Sequence, residues 1–132
     1  MLDLFIDGIA AIATPDTLAL MILGVIVGII FGSVPGLTAV TGIALFLPVT
    51  YSLGPIKGMA LLMAIYIGAV SGGLIAAILI NIPGTPASVA TTFDGHPMAL
   101  RGEGGRAIRV GTLYSFLGGM VSLAALFLIS PI

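Results

Sequence analysis

The chain has 132 residues, 59% of them hydrophobic and 7% charged, with a formal net charge of −1 and a mean hydropathy of +1.30. About a quarter of the residues in an ordinary soluble domain are charged, so this composition excludes a water-clothed domain and places the chain in a lipid bilayer. The absence of a basic run argues against nucleic acid as a partner, and the absence of cysteine excludes disulfides, thiolate metal sites and thiol nucleophiles.

The opening residues, MLDLFIDG, carry acids where a secretory signal needs Lys or Arg, and no small-residue cleavage site follows a compact apolar core. Direct insertion without cleavage is expected. Residues 1–13 read either as a short interfacial helix in the membrane plane, with Asp3 and Asp7 on one face, or as a frayed terminus. TPDT at 14–17 is a helix start, with Thr14 to cap, Pro15 at the first helical position and Asp16 at the positive end of the dipole.

Thr17 to Thr50 carries no charge and exceeds the roughly 20 residues of one straight span. GSVPGLT at 32–38 divides it, because Pro35 removes a donor and Gly36 loosens the backbone. The expectation for 15–50 is a broken helix pair, about Pro15–Val34 and Leu37–Leu47. PVTYSLGPIKG at 48–58 reads as a loop punctuated by Pro48 and Pro55. Residues 55–93 read as a second helix, about Ile56–Ile80, followed after NIPGTP by a short re-entrant helix, about Thr85–Phe93.

The polar stretch DGHPMALRGEGGRAIR at 94–109 holds Arg101, Arg106 and Arg109. The positive-inside rule makes 94–106 a cytoplasmic loop. Residues 107–130 read as a last transmembrane helix, with Gly111, Gly118 and Gly119 offering close packing. The fold class expected is all-α: a polytopic membrane protein with glycine-rich transmembrane helices and two Pro-Gly broken or re-entrant helices.

The two interruptions share a pattern. SVPGLTAVTG begins at Ser33 and NIPGTPASVATT at Asn81, each following a glycine-rich apolar helix. Broken helices of this kind form the sites of secondary transporters. Backbone groups freed by Pro-Gly cannot face lipid, where each costs several kcal/mol. The short helix after each break presents N–H groups and a positive dipole end to an anion. The substrate- or ion-binding residues expected on this ground are Ser33, Pro35, Gly36, Thr38, Asn81, Pro83, Gly84, Thr85 and Ser88. Free carbonyls beside Ser33 and Asn81, with the Asn81 side chain, suit a transient sodium ion; no other metal and no cofactor is expected.

No Lys or Arg lies within an apolar stretch, so an anionic substrate would be neutralised by helix ends, hydroxyls and co-bound cations. His96 sits in a Gly-His-Pro sequence that reads as a surface turn, since no second ligand stands at metal spacing. Asp94 reads as a structural turn residue, and Tyr66 and Tyr114 as interface or packing residues. There is no Ser-His-acid grouping, no HExxH and no P-loop, so an enzyme is not expected.

GSVPGLTAVTGIALFLPVTYSLGP, followed by IYIGAVSGGLIAAILINIPGTPASVATTFDGHPMALRGEGGRAI, resembles the large membrane subunit of the tripartite tricarboxylate transporters from about Gly24 onward. The resemblance implies a multi-pass protein of the bacterial inner membrane. It implies a periplasmic solute-binding protein and a small four-helix membrane subunit as partners, with di- and tricarboxylates such as citrate as substrates. It also implies an ion gradient, commonly sodium, as driving force. Pro35-Gly36 and Pro83-Gly84 match signature stretches of that family. Its members are about four times longer, and the chain matches their N-terminal portion, so the expectation is a fragment of a larger transporter, one chain of a transporter whose remainder is a separate chain, or a truncated gene product. The alternative is a structural membrane subunit, packed against partner helices through glycine faces and without a substrate site of its own.

Overall fold

The computed structural model describes residues 2–129, with side chains from Ile6 onward. The face predicted to carry Asp3, and the last span's end at residue 130, lie outside the described part. The described chain forms α1 (Leu2–Ile12), α2 (Pro15–Ser33), α3 (Ala39–Leu53), α4 (Pro55–Ile80), a 3-10 turn (Pro86–Ser88), α5 (Val89–Leu100) and α6 (Gly104–Ile129). No strand occurs among the described residues, and the architecture is the all-α, polytopic one the composition requires. Three helices, α2, α4 and α6, are long and apolar enough to cross a membrane.

The core is the interface of α2 with α4, the most extensive in the molecule. It is made of backbone brought close by small residues. Gly24, Gly28 and Gly32 recur every fourth residue on α2 and are all buried. On α4 the buried Ala60, Ala64, Gly68, Gly72 and Ala76 repeat at the same interval, which keeps each set on one face. A Cβ on Gly28 would collide with the Ile65 carbonyl oxygen, and one on Gly32 with that of Ala69. Apolar side chains gain nothing by leaving lipid, so close backbone approach and dispersion hold such helices together.

The pairings also fix direction. Gly24 meets Leu61 and Ala64, Gly28 meets Ile65 and Gly68, and Gly72 meets Ile29 and Ser33. The two helices are therefore parallel, and Lys57 Nζ reaches Asp16 Oδ2 at 3.3 Å where both begin. Between them α3 returns antiparallel to α4, with Gly42 against Ile65 and Gly58 against Thr50.

Two segments read as loops are helical. Pro48 lies inside α3, which runs on to Leu53. The ring removes one intrahelical bond, but hydroxyls bond back within the turn, Thr50 Oγ1 to the Leu47 carbonyl at 2.6 Å and Ser52 Oγ to that of Val49 at 2.8 Å. Hydroxyl groups of this sort make proline tolerable in membrane helices. The link between α3 and α4 is Gly54 alone, at φ +77°, which glycine adopts without strain. Likewise α5 continues through Asp94, Gly95, His96 and Pro97, so the loop expected over 94–106 shrinks to Arg101–Glu103, where Gly102 has φ +83°. Tertiary packing overrides the turn signal there: Gly95 sits so close to the buried Ile78 that a Cβ would fall 2.7 Å from its Cγ1.

Helix α6 runs antiparallel to α4, with Gly104 near Leu79 and Gly111 near Leu74. Beyond that contact it stands apart, and Ala107 is its one buried residue among those described. Of the three glycines expected to pack closely, Gly111 does so against Leu74, while Gly118 and Gly119 have open space around them.

Candidate functional site

The second break dips back into the molecule. Helix α4 ends at Ile80, and Asn81 turns the chain in the left-handed conformation, φ 58°. The chain then descends until Thr85 lies against Gly73, with Thr85 Oγ1 2.8 Å from where a Gly73 Cβ would stand. Gly73 precedes the end of α4 by seven residues, a descent of about 10 Å at 1.5 Å per residue. The 3-10 turn and α5 climb out again, passing Ile78 at Gly95.

This hairpin occupies a place left by α2. Ser33, the last residue of α2, stands beside Gly72, while α4 continues for eight more residues, about 12 Å. The second break fills that gap. Gly84 is buried against the Gly32 carbonyl oxygen, which a Cβ would strike, and 2.9 Å from such a Cβ lies Gly73 Cα. The two breaks therefore meet, through Gly84 and Gly32.

The expected site residues divide into two groups. Thr85 and Ser88 are buried and bond to each other: Ser88 Oγ donates to the Thr85 carbonyl at 2.8 Å and accepts from the Thr85 N–H at 3.3 Å and from Thr85 Oγ1 at 3.4 Å. Ser88 N–H also donates to the Thr85 carbonyl. These hydroxyls close the hairpin. With Pro83 and Gly84 they form its inner wall.

The first break is more open. Ser33 Oγ donates to the Ile30 carbonyl at 3.1 Å, within its own turn. Pro35 and Gly36 are exposed, with Gly36 at φ +95°. Thr38 caps α3, its Oγ1 accepting from Thr41 N–H at 3.4 Å and lying 3.3 Å from Thr41 Oγ1. The Ala39 and Val40 N–H groups precede the first intrahelical bond and point out of the helix end.

Asn81 is exposed, and it stands nine residues beyond Gly72, hence about 13 Å along α4 from Ser33.

Two features were missed. One is the role of Gly32 and Gly73, whose only signal was the fourfold glycine spacing on α2 and the Gly72-Gly73 pair on α4. The other is His96. It lies on α5, half-buried, with Nδ1 3.1 Å from the Ile78 carbonyl oxygen. A carbonyl only accepts, so Nδ1 carries the proton. The Ile78 carbonyl is an orphan of the α4 end, and His96 caps it from the neighbouring helix.

Helices broken at Pro-Gly and meeting inside an all-helical membrane protein are a feature that transport proteins share. Comparison with known families identifies the chain further: residues 18–132 match the model of the "Tripartite tricarboxylate transporter TctA family", and the chain belongs to that family. Among curated proteins it is similar to the "Uncharacterized 52.8 kDa protein in TAR-I ttuC' 3'region" of Agrobacterium vitis, 36% identical over 134 residues. That match takes in 99% of this chain and 27% of the relative, so the chain spans about a quarter of the relative's length. No solved structure matches.

Proposed function

We propose that the chain is part of the membrane component of a cation-coupled, binding-protein-dependent importer of di- and tricarboxylates such as citrate, with sodium as the coupling ion. The observation that carries this reading is the family match across residues 18–132, which includes both breaks. In this reading a periplasmic binding protein delivers the carboxylate and a small four-helix subunit completes the membrane complex. The Arg101–Glu103 turn, with Arg106 and Arg109, lies on the cytoplasmic side of the inner membrane.

The chemistry follows from the open break. An anion at the amino end of α3 meets the Ala39 and Val40 N–H groups and the positive end of the helix dipole. The Thr38 and Thr41 hydroxyls add two more donors. Sodium offsets the remaining negative charge from carbonyls at the break, since neither Pro-Gly break carries a Lys or Arg of its own. The hairpin at Pro83-Gly84, seated on the end of α2, is the part that moves when one bundle rocks against the other.

The test is uptake of labelled citrate and related acids by the complete complex carrying Gly84→Leu or Asn81→Ala. Both are expected to lose uptake; because a side chain at Gly84 would also strike the Gly32 carbonyl oxygen, Asn81→Ala is the variant that must lose uptake while the protein still assembles. Normal uptake by both variants refutes the site. The alternative, a structural subunit, draws support from the mutual bonding of Thr85 and Ser88, which leaves neither hydroxyl proton for an anion. It predicts the reverse pattern: harmless changes at the breaks and lost assembly on substituting Gly111, Gly118 or Gly119.

A further inference from the structure

On the face of α4 turned away from α2, a cavity of about 180 Å³ opens between α4 and α6. It is lined by Tyr66, Ile67, Val70, Ser71 and Leu74 of α4 and by Thr112 and Ser115 of α6. Four hydroxyl-bearing residues thus line an open cleft between two helices that are otherwise apolar enough to cross a membrane; Tyr66, Thr112 and Ser115 are exposed and Ser71 is half-buried. Thr112 Oγ1 donates to the Ile108 carbonyl one turn back, at 2.8 Å. The hydroxyls of Tyr66, Ser71 and Ser115 make no hydrogen bond among the described residues. Ser71 and Ser115 are the informative pair, because serine in a membrane helix ordinarily bonds back as Thr112 does.

A hydroxyl left unpaired in hydrocarbon costs several kcal/mol, so groups of this kind face water, protein or a polar ligand. The volume holds about six waters at roughly 30 Å³ each, or one small organic acid. A carboxylate is an acceptor only, and three free hydroxyls from two directions supply three donors. No charged group lines the cavity, so it would bind an anion weakly and release it readily, as a transit site requires.

We propose that this cavity is a hydrated binding station for a carboxylate, formed by Tyr66, Ser71 and Ser115 and distinct from the two Pro-Gly breaks. The carboxylate assignment rests on the importer reading; hydration of the cavity does not. The chain has no cysteine, so single substitutions report on one position each. Ser71→Cys, Ser115→Cys and, as a control on the exposed apolar surface of α6, Val121→Cys are made in the complete complex in membrane vesicles. They are treated with the membrane-impermeant anion 2-sulfonatoethyl methanethiosulfonate, with and without citrate or other di- and tricarboxylates, and uptake by the unlabelled vesicles is measured in parallel.

Only a solvated thiolate reacts, so Ser71→Cys and Ser115→Cys are expected to label on the order of tenfold faster than Val121→Cys, or more. The transported carboxylate slows that labelling at both positions. Labelling no faster than at Val121→Cys overturns the station. Fast labelling unaffected by an acid that the same vesicles import also overturns it, while leaving the importer reading intact. Absence of uptake for every acid, with fast labelling unaffected by any of them, overturns both.

Discussion

Replacing Gly28 by alanine tests the claim that backbone proximity, rather than side-chain burial, holds α2 to α4. The added Cβ would fall on the Ile65 carbonyl oxygen, 2.8 Å from Ala69 N and 2.9 Å from Gly68 Cα. Carbon atoms in contact ordinarily sit about 3.5–4.0 Å apart. The obstacles are helix backbone, which cannot rotate away, so α2 must retreat by on the order of 1 Å, and a gap of that size forfeits a quarter to a half of each dispersion contact. Overpacking of this kind costs about 1–3 kcal/mol, and a rigid helix loses contact from Gly24 to Gly32 at once, which favours the upper end. Alanine returns about 0.5–1 kcal/mol through its better helix propensity. The net expectation is a loss of about 2 kcal/mol, read as a shifted midpoint in reversible unfolding from lipid-detergent micelles. Gly118→Ala is the matched control, because nothing lies within 4 Å of its Cβ position; it should be neutral or slightly stabilising. The double variant Gly28→Ala/Gly32→Ala should cost less than the sum of its parts, since one displacement relieves both clashes. If Gly28→Ala unfolds at the same midpoint as Gly118→Ala, the close-approach account of this interface is wrong.

His96→Ala leaves the Ile78 carbonyl without its donor, at a cost of about 1–3 kcal/mol. Amide exchange over residues 81–100 should then accelerate by roughly ten- to a hundredfold, at about 1.4 kcal/mol per decade. His96→Gln, which keeps an N–H donor, should restore part of the protection; unchanged exchange in His96→Ala removes the capping role. At the opposite end, the Lys57–Asp16 pair is an exposed one, with the Asp16 side chain 80% accessible, and such pairs contribute about 0–1 kcal/mol. Asp16→Asn should therefore shift the unfolding midpoint slightly at low salt and not at all at high salt. A large, salt-independent loss would mean that the pair is desolvated in the assembled protein.

The elements carried by composition and by proline-glycine chemistry were legible in the sequence. The span from Pro15 and the one ending at Ile80 follow from uncharged runs bounded by Pro-Gly. The failures share one cause. DGHPM and PVTYS look like turns because proline and glycine punctuate them, yet both lie in helices. Gly95 there answers to the side chain of Ile78, and Pro48 sits in a helix seated on α4. Single-chain reading prices Gly95 as a helix breaker, whereas the fold uses it to admit a neighbour. The same blindness hid His96, whose partner is eighteen residues away on another helix. A row of Ser and Thr after a break cannot show which hydroxyls face outward, and Thr85 and Ser88 turned out to bond to each other.

Two breaks of similar sequence, 48 residues apart, invite the picture of two equivalent half-sites. The fold gives them unequal work. Helix α2 stops beside Gly72, about 12 Å short of the end of α4, so its last carbonyls need partners that lipid cannot supply. What covers that end is the second break, and the contact is possible because Gly84 lacks a Cβ, which would strike the Gly32 carbonyl oxygen; the missing Cβ of Gly32 instead lets α2 lie on Ala69 of α4. The first break is then a helix end that must be covered, and the second is its cover, locked in shape by the Thr85–Ser88 bonds and fastened to α4 by His96. A moving hairpin would uncover α2 as it left, exposing the polar end of one broken helix by displacing the other. Any substitution at Gly84 therefore acts on the end of α2 as much as on the start of α5, and the two breaks have to be treated as one device.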